Sequence, residues 1–382
     1  MVISSNKRLK ALRLKSTIQS KEPGRSLIMS ETIMDLPLCN VIERACLFLE
    51  KRQWPGGFWI DFELVVGMSS QWVTAYISHC LAQANANSSA LTRANKWLLH
   101  TQLEEGGWGY NRDLPPDGDS TANVVLFLAE YSRTNLSEEI LDHAAETLLT
   151  FRSNNDGGFI TYRPVPHIPG EEKHKFRFEG SGWCISHLSV TALAAVALHK
   201  VNPVKFGHVL KEAAVFIQQR QDPAGFWDDH WWLDRIYGTY WSSRFLNSMG
   251  DRISPQRAID WLVSINQDGR AWGNGLGSQP SPFHTALALS TLMLLDSPPR
   301  VHQLIDNGIA WLIENQRADG GWTSVPILLT PIPDIHEPWR STDASAHQAV
   351  ADQYSLFTSA TVLSALANYR YFKVRHVENS IR

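Results

Sequence analysis

The stretch Pro115-Pro116-Asp117-Gly118-Asp119-Ser120-Thr121-Ala122 sets two carboxylates two residues apart, just ahead of an apolar run that begins as a helix would. Paired carboxylates are a pattern that can serve acid–base chemistry, though from spacing alone the pair is a weak signal. The simpler reading is a capping turn with solvated carboxylates, in which Ser120, Thr121 or Asp119 accepts from the first free N–H groups of the helix. Spacing alone leaves both readings open. What the pair can do depends on the elements that position it.

Composition bounds those elements. The 382 residues are 43% hydrophobic and carry a formal charge of −3. That is enough for one large domain or two ordinary ones with a sizeable core. A balance this near neutral gives no electrostatic case for a nucleic-acid partner. No apolar run approaches the length that spans a bilayer. Cys39, Cys46, Cys80 and Cys184 are scattered, without CxxC spacing or a secretory signal, which points to reduced thiols in a cytoplasmic protein. Residues 1–35 stand apart as a basic segment: within the first 25, Lys7, Arg8, Lys10, Arg13, Lys15, Lys21 and Arg25 face the single acid Glu22. A disordered, solvated tail is expected for this segment. A basic arm leaning on an anionic membrane surface is the alternative, and an organellar targeting segment has the same composition.

The organising feature is a repeat. Residues 102–108, 221–227 and 316–322 all fit Gln-x-x-x-Gly-x-Trp, and looser copies lie at 53–58, 154–159 and 266–272. Their closing aromatics are Phe58, Trp108, Phe159, Trp227, Trp272 and Trp322, separated by 50, 51, 68, 45 and 50 residues. Six copies at one period mean a repeat architecture. Ahead of each copy lies an amphipathic stretch, such as 91–102 or 255–267, with one wet face. After each comes a loop and then a stretch apolar all round, such as 121–132, 188–201 or 284–296, which must be buried. Six outer and six inner helices, with no polar end caps, predict an all-α closed double ring: an α6/α6 barrel over residues 36–375, with a short tail at 376–382. The motif aromatics are read as packing groups. The Gly-Gly pairs suit a helix end followed by a turn with positive φ, and the Gln amides suit orphan groups at helix ends.

If all outer helices end at one face, every inner helix begins there, and its N-terminus lines a common mouth. Asp117 and Asp119 fall at one such N-terminus. Two loops at that face, 160–186 and 323–351, are long enough to act as lids.

The repeated motif resembles the signature of squalene–hopene and oxidosqualene cyclases and their class II terpene cyclase relatives. Further stretches resemble the same family in the same order. Residues 106–122 match its segment leading into Asp-x-Asp-Asp-Thr-Ala, and 225–241 match its Gly-Ser-Trp…Tyr-Gly-Thr segment. Residues 281–289 match Thr-Pro-Ser-Gln-Thr-Ala, and 352–357 match Asp-Phe-Tyr-Leu-x-Tyr. The resemblance covers about 330 residues. It implies an enzyme that protonates the end of a linear isoprenoid and steers the cation through ring closures. Asp119 takes the place of the family acid, and Asp117 that of a partner able to share its proton. Trp231, Tyr110, Tyr354 and Phe357 fall on family aromatics that face the substrate. An alkene is a very weak base, so such an acid needs a dry cavity and aromatic faces for the cation. A helix N-terminus would strengthen the acid by stabilising the carboxylate left behind.

The departures bear on the substrate. Ser120 stands where the family's last aspartate would be, as a non-acid residue also does in oxidosqualene cyclases, which open an epoxide. Leu193 stands at the position of a supporting histidine; His187, on the same stretch, is either a substitute for it or a neutral cap of the following helix. These changes favour an activated chain, epoxidised or otherwise polarised, beside a plain alkene. The family's triterpene cyclases also carry a second barrel that closes the cavity. A single barrel implies a sesquiterpenoid or diterpenoid chain, possible attachment to another group, or closure by the long loops, a partner or a second copy. No cofactor is implied, and Mg²⁺ only if the substrate carries a diphosphate. Protein prenyltransferase β-subunits share the repeat but need a zinc site built on Asp-x-Cys, which none of the four cysteines provides. A non-catalytic isoprenoid-binding barrel, and a cyclase working on a non-terpenoid cation, are the competing readings.

Overall fold

The computed structural model describes residues 36–86, 89–104, 106–131, 138–165, 179–266, 268–275 and 277–381. The basic segment 1–35 lies outside the described residues. The described chain forms twelve helices in six pairs: α1 (Leu36–Glu50) with α2 (Gln71–Gln83), α3 (Ser89–His100) with α4 (Gly118–Tyr131), and α5 (Glu138–Leu149) with α6 (Leu188–Val201). The same alternation continues with α7 (Gly207–Gln218) and α8 (Ile236–Ser248), α9 (Ile253–Ile265) and α10 (Pro282–Leu292), and α11 (Pro299–Glu314) and α12 (Leu356–Ile381). The even-numbered helices pack in the order α2, α4, α6, α8, α10, α12, and α12 packs back on α2. The ring closes, as the α6/α6 reading requires. The odd-numbered helices form an outer layer, each packed mainly on the inner helix that precedes it around the ring, α1 on α12 and α3 on α2. Helix α4 buries nearly its whole surface, whereas α3 buries only Ala90, Leu91, Ala94 and Leu98. Helix α12 continues to Ile381, through most of the stretch expected as a tail.

The repeat motif is the cement. In each copy the aromatic backbone N–H donates to a hydroxyl in the following inner helix. The pairs are Trp59–Thr74, Trp108–Thr121, Phe159–Thr191, Trp227–Thr239, Trp272–Thr285 and Trp322–Ser359, at 2.8–3.1 Å. Each of the five indoles also donates to a carbonyl ten residues upstream, at the end of the preceding outer helix. The amides of Gln53, Gln221 and Gln316 bridge the motif glycine carbonyl and the next outer helix, at Ala90, Ser254 and Val41. This corrects the first copy, whose closing aromatic is Trp59 and not Phe58. Gln53-to-Trp59 is a complete motif, and Phe58 instead stacks half-buried on Trp97. Gly225 (φ 112°) shows why the glycine is needed, since a Cβ there would lie 2.2 Å from the Arg257 carbonyl of α9.

Three small antiparallel hairpins gather where the inner helices begin: β1 (Asp61–Leu64) with β2 (Gly67–Ser69), β3 (Phe159–Ile160) with β4 (Ser186–His187), and β5 (Pro326–Pro331) with β6 (His347–Ala351). The long segment 323–351 thus folds as a hairpin over the mouth. It is stitched to the stretch before α8 by Leu329 N–H to the Trp231 carbonyl (2.8 Å) and by Leu233 N–H to the Ile327 carbonyl (2.9 Å). It also clasps the other long loop: Gly182 N–H donates to the Pro333 carbonyl at 2.6 Å, and the Trp183 indole to the Pro331 carbonyl at 2.9 Å.

Candidate active site

Under these hairpins lies a chamber of ≈ 300 Å³. Its wall is aromatic, from Trp72, Tyr110, Tyr162, Trp183, Trp231 and Trp232, with Leu64, Leu328 and Leu329 between them. Asp119 opens into it from the first turn of α4.

The carboxylate pair divides its work. Asp117 precedes α4, and both of its oxygens are engaged by Ser120: the backbone N–H donates to Oδ1 at 2.6 Å and the hydroxyl to Oδ2 at 2.7 Å. Asp117 is therefore the cap, and a proton shared with Asp119 is not what the geometry shows. Ser120 supports Asp117, not the acid. Thr121 is taken by Trp108. Gly118 makes the turn possible: its N–H donates to the Thr161 carbonyl at 2.8 Å, and a Cβ there would lie 2.3 Å from the Ile160 carbonyl. With Asp117 turned back on its own helix, Asp119 is left facing the hollow.

Electrostatics then fixes its proton. Burial raises the Asp119 pKa well above the usual carboxylate range, and the carboxylates of Asp117 and Asp229 raise it further. The indole N–H of Trp72, close to Asp119 but outside ordinary hydrogen-bond geometry, pulls the other way. The helix terminus was expected to strengthen the acid. Desolvation and two neighbouring charges outweigh it, so the Asp119 pKa moves upward and the protonated form is favoured. Burial also pushes Asp117 up to about 7, against the donors of Ser120.

The other expected residues separate. Tyr110 lines the chamber, its hydroxyl donating to the Phe62 carbonyl at 2.7 Å. Trp231 lines it too, with its indole N–H donating to Thr161 Oγ1 (2.8 Å) and His187 Nδ1 (3.2 Å). His187 sits at the start of α6 but makes no side-chain cap, which corrects the capping reading. Its Nε2 donates to the Gly182 carbonyl at 2.8 Å, its Nδ1 accepts from Thr161 and Trp231, and burial keeps it neutral. It braces Trp231 and does not touch Asp119. Phe357 is fully buried behind Trp72 and Trp232, with ring centroids 5.1 and 5.7 Å away. Tyr354 is 47% exposed in a separate surface cleft beside Arg317 and is not part of the chamber. The turn at Ser355 (φ 58°), tied down by Tyr354 N–H to Asp61 Oδ1 at 2.8 Å, directs the ring outward.

Six residues were missed: Trp72, Tyr162, Trp183, Trp232, Asp229 and Tyr237. Trp72 had a findable signal, because it is the second residue of α2 as Asp119 is of α4, the same place in the ring. Trp232 had a weaker one in the Trp231-Trp232 doublet, since only the stack of Trp232 on Tyr237 (3.5 Å) shows which way it faces. Asp229 and Tyr237 had none, since only burial reveals them.

The buried groups predict an unusual pH response. Burial raises five carboxyls (Asp61, Asp117, Asp119, Asp229, Asp352) and lowers three imidazoles (His187, His199, His230). A raised carboxyl contributes stability that is complete below its unfolded pKa and is lost as pH climbs through the folded value. A lowered imidazole works in the opposite sense below about pH 6.5. The carboxyls outnumber the imidazoles, so the folded state binds more protons than the unfolded chain at mildly acid pH. Melting temperature is therefore expected to rise by several degrees from about pH 8 to about pH 5.5. A flat or inverted profile in thermal melts would refute this proton balance.

The profile of the squalene-hopene cyclase C-terminal domain matches residues 68–336. A squalene–hopene cyclase of Zymomonas mobilis is 25% identical over 297 residues, covering 67% of this chain and 44% of its own length. A drimenyl diphosphate synthase of Streptomyces showdoensis is 26% identical, covering 69% and 47%. The chain thus spans about half the length of these curated relatives. Among solved structures, a variant of the type II terpene cyclase MstE from Scytonema, in complex with geranylgeranyl dihydroxybenzoate as substrate, aligns at TM-score 0.74 and 26% identity. The alignment covers 88% of this chain and 98% of that one. A protein from Actinoplanes aligns at TM-score 0.72 and 28% identity, covering 87% and 99%. A profile spanning most of the barrel, over an aromatic chamber into which Asp119 opens, places this chain in the squalene-hopene cyclase C-terminal domain family, among the class II terpene cyclases.

Proposed function

We propose that this protein cyclises a linear isoprenoid, with the Asp119 carboxyl transferring its proton to a terminal alkene or epoxide. The observation that carries the reading is the placement of the Asp119 carboxyl, its pKa raised by burial, in a hollow walled by six aromatic rings. Proton transfer leaves a carboxylate and a carbocation together in a dry medium, where they attract each other strongly. The Trp72 indole N–H and the first turn of α4 favour the carboxylate. Ring faces stabilise the cation by about 2 kcal/mol or more each when desolvated, without trapping it covalently.

The substrate is a short chain of sesquiterpenoid or diterpenoid length, free or joined to an aromatic head group. The hollow lies at the small end of ligand-pocket volumes. The Scytonema neighbour, matched over nearly its whole length, binds a geranylgeranylated dihydroxybenzoate. The described lining holds Asp117 and Asp119 but no Lys or Arg, which favours a neutral head group over a diphosphate. Val65 (98% exposed), Val66 and Ile332 stand outward around the mouth, an apolar rim suited to taking the chain from a lipid surface.

The test is incubation of the purified protein with linear prenyl alcohols, their diphosphates, their terminal epoxides and geranylgeranyl dihydroxybenzoate, with products read by mass spectrometry. Cyclic isomers from the epoxides or the benzoate are expected. Tight binding with every compound recovered unchanged would support the non-catalytic barrel instead.

A further inference from the structure

A second, outer cleft of ≈ 480 Å³ lies beside the chamber and is the larger of the two. Its chemistry differs. Asp228 and Arg235, ion-paired at 2.8 Å, border it together with Trp261, Trp339 and His347. Among the described residues, only Trp232 and Leu329 border both spaces. Both are buried, so the partition between an apolar hollow and a charged cleft is one side chain thick.

The partition is built as a fixed wall. Leu329 N–H donates to the Trp231 carbonyl at 2.8 Å and Leu233 N–H to the Ile327 carbonyl at 2.9 Å. Trp232 pairs with Leu328 in an antiparallel bridge, so residues 231–233 lie as a third strand against β5. The barrel clamps the indole from its other side. It stacks on Tyr237 of α8 at 3.5 Å and on Phe283 of α10 at 5.6 Å. Phe357 of α12 lies 5.7 Å away and Trp72 of α2 6.3 Å. A ring that meets α2, α8, α10 and α12 together stands near the barrel axis. Trp232 therefore closes the chamber at its inner end, away from the exposed Val65 and Val66 of the rim.

We propose that Trp232, with Leu329, sets the length of isoprenoid chain that this protein accepts. The proposal rests on the isoprenoid reading above, but not on turnover. A chain entering at the rim fills the chamber until it meets the indole, and a longer one has nowhere to continue. Burying an added isoprene unit would otherwise strengthen binding, because every apolar carbon taken from water contributes. Refusal by the wall cancels that gain. A small side chain at position 232 joins the chamber to the outer cleft, where Trp261 and Trp339 offer apolar surface to the extra carbons.

The test uses the full-length chain and three linear prenols: farnesol, geranylgeraniol and geranylfarnesol. Isothermal titration gives the affinity of each for the wild-type protein and for Trp232→Ala. The affinity of geranylfarnesol relative to farnesol should rise by about 10-fold or more in the variant, the scale on which apolar pockets discriminate by size. Taking a ratio removes any loss common to all chains. Trp261→Ala enlarges the outer cleft behind an intact wall and should leave the ratio at its wild-type value. An unchanged ratio in folded Trp232→Ala, or an equal rise in Trp261→Ala, overturns the wall. Should Trp232→Ala fail to fold, Leu329→Ala opens the same partition from the hairpin and is scored in the same way. Turnover is read separately, with the terminal epoxides of the same prenols. A raised ratio with no cyclic product from either protein upholds the wall and sinks the cyclase reading. A wild-type ratio with cyclisation intact sinks the wall alone, and both fall if none of the prenols binds.

Discussion

Replacing Asp119 with asparagine should reduce cyclisation by at least about 10⁴-fold, the upper range for loss of a general acid. Among the described residues no other carboxyl is placed to take over. Asp117 is folded back onto Ser120, and Asp229 faces the outer cleft. The variant should fold as well as the parent, because the amide matches the acid in shape and removes a carboxyl whose ionised form burial already disfavours. Ligand binding and melting temperature separate this outcome from simple unfolding. Substantial product from a folded Asp119→Asn protein would remove Asp119 from the chemistry. A parallel pH profile should show activity holding through neutrality and falling on the alkaline side, as the raised carboxyl loses its proton.

The second large effect is expected at Gly118. Alanine there places a methyl 2.3 Å from the Ile160 carbonyl and 3.3 Å from the Phe151 Cβ, so backbone must move. Overpacking of this kind costs about 3 kcal/mol and should lower the melting temperature by several degrees. The functional loss should exceed what stability explains. The displaced strand carries Thr161, whose hydroxyl bonds Trp231 and His187, and the displaced helix start carries Asp119. A shift near 1 Å at a reacting group costs roughly 10²-fold in rate. Activity measured well below the melting temperature is the check. Wild-type turnover in folded Gly118→Ala would mean that this tight turn does not set the geometry of the acid.

Much of this architecture is written in local pattern. The alternation of amphipathic and uniformly apolar stretches specifies which helices are wet and which are enclosed, and helix period is a property of neighbouring residues. The motif spacing brings a glycine to each close approach and an aromatic to each inner helix, so the ring could be inferred before any contact was known. The location of Asp119 at an inner helix start, and hence at the mouth, belongs to the same order of information. Periodicity was silent, however, about which carboxylate would turn inward. The short bonds from Ser120 settle that question in favour of Asp119. Tyr354 shows the opposite failure: it matches a family aromatic in order, yet a left-handed turn at Ser355 sends it to the surface.

Tertiary structure alone decided the upward shift of the Asp119 pKa, because that rests on burial and on charges from residues 117 and 229, the second 110 positions away along the chain. Desolvation and Coulomb interaction depend on distance through space, which spacing along the chain does not encode. The same holds for the convergence of Trp72, Trp231 and Trp232 on one hollow and for the place of Trp232 between two cavities. Residue order carried the ring and the turn that bears the acid; only closure of the ring brought together the distant groups that raise its pKa.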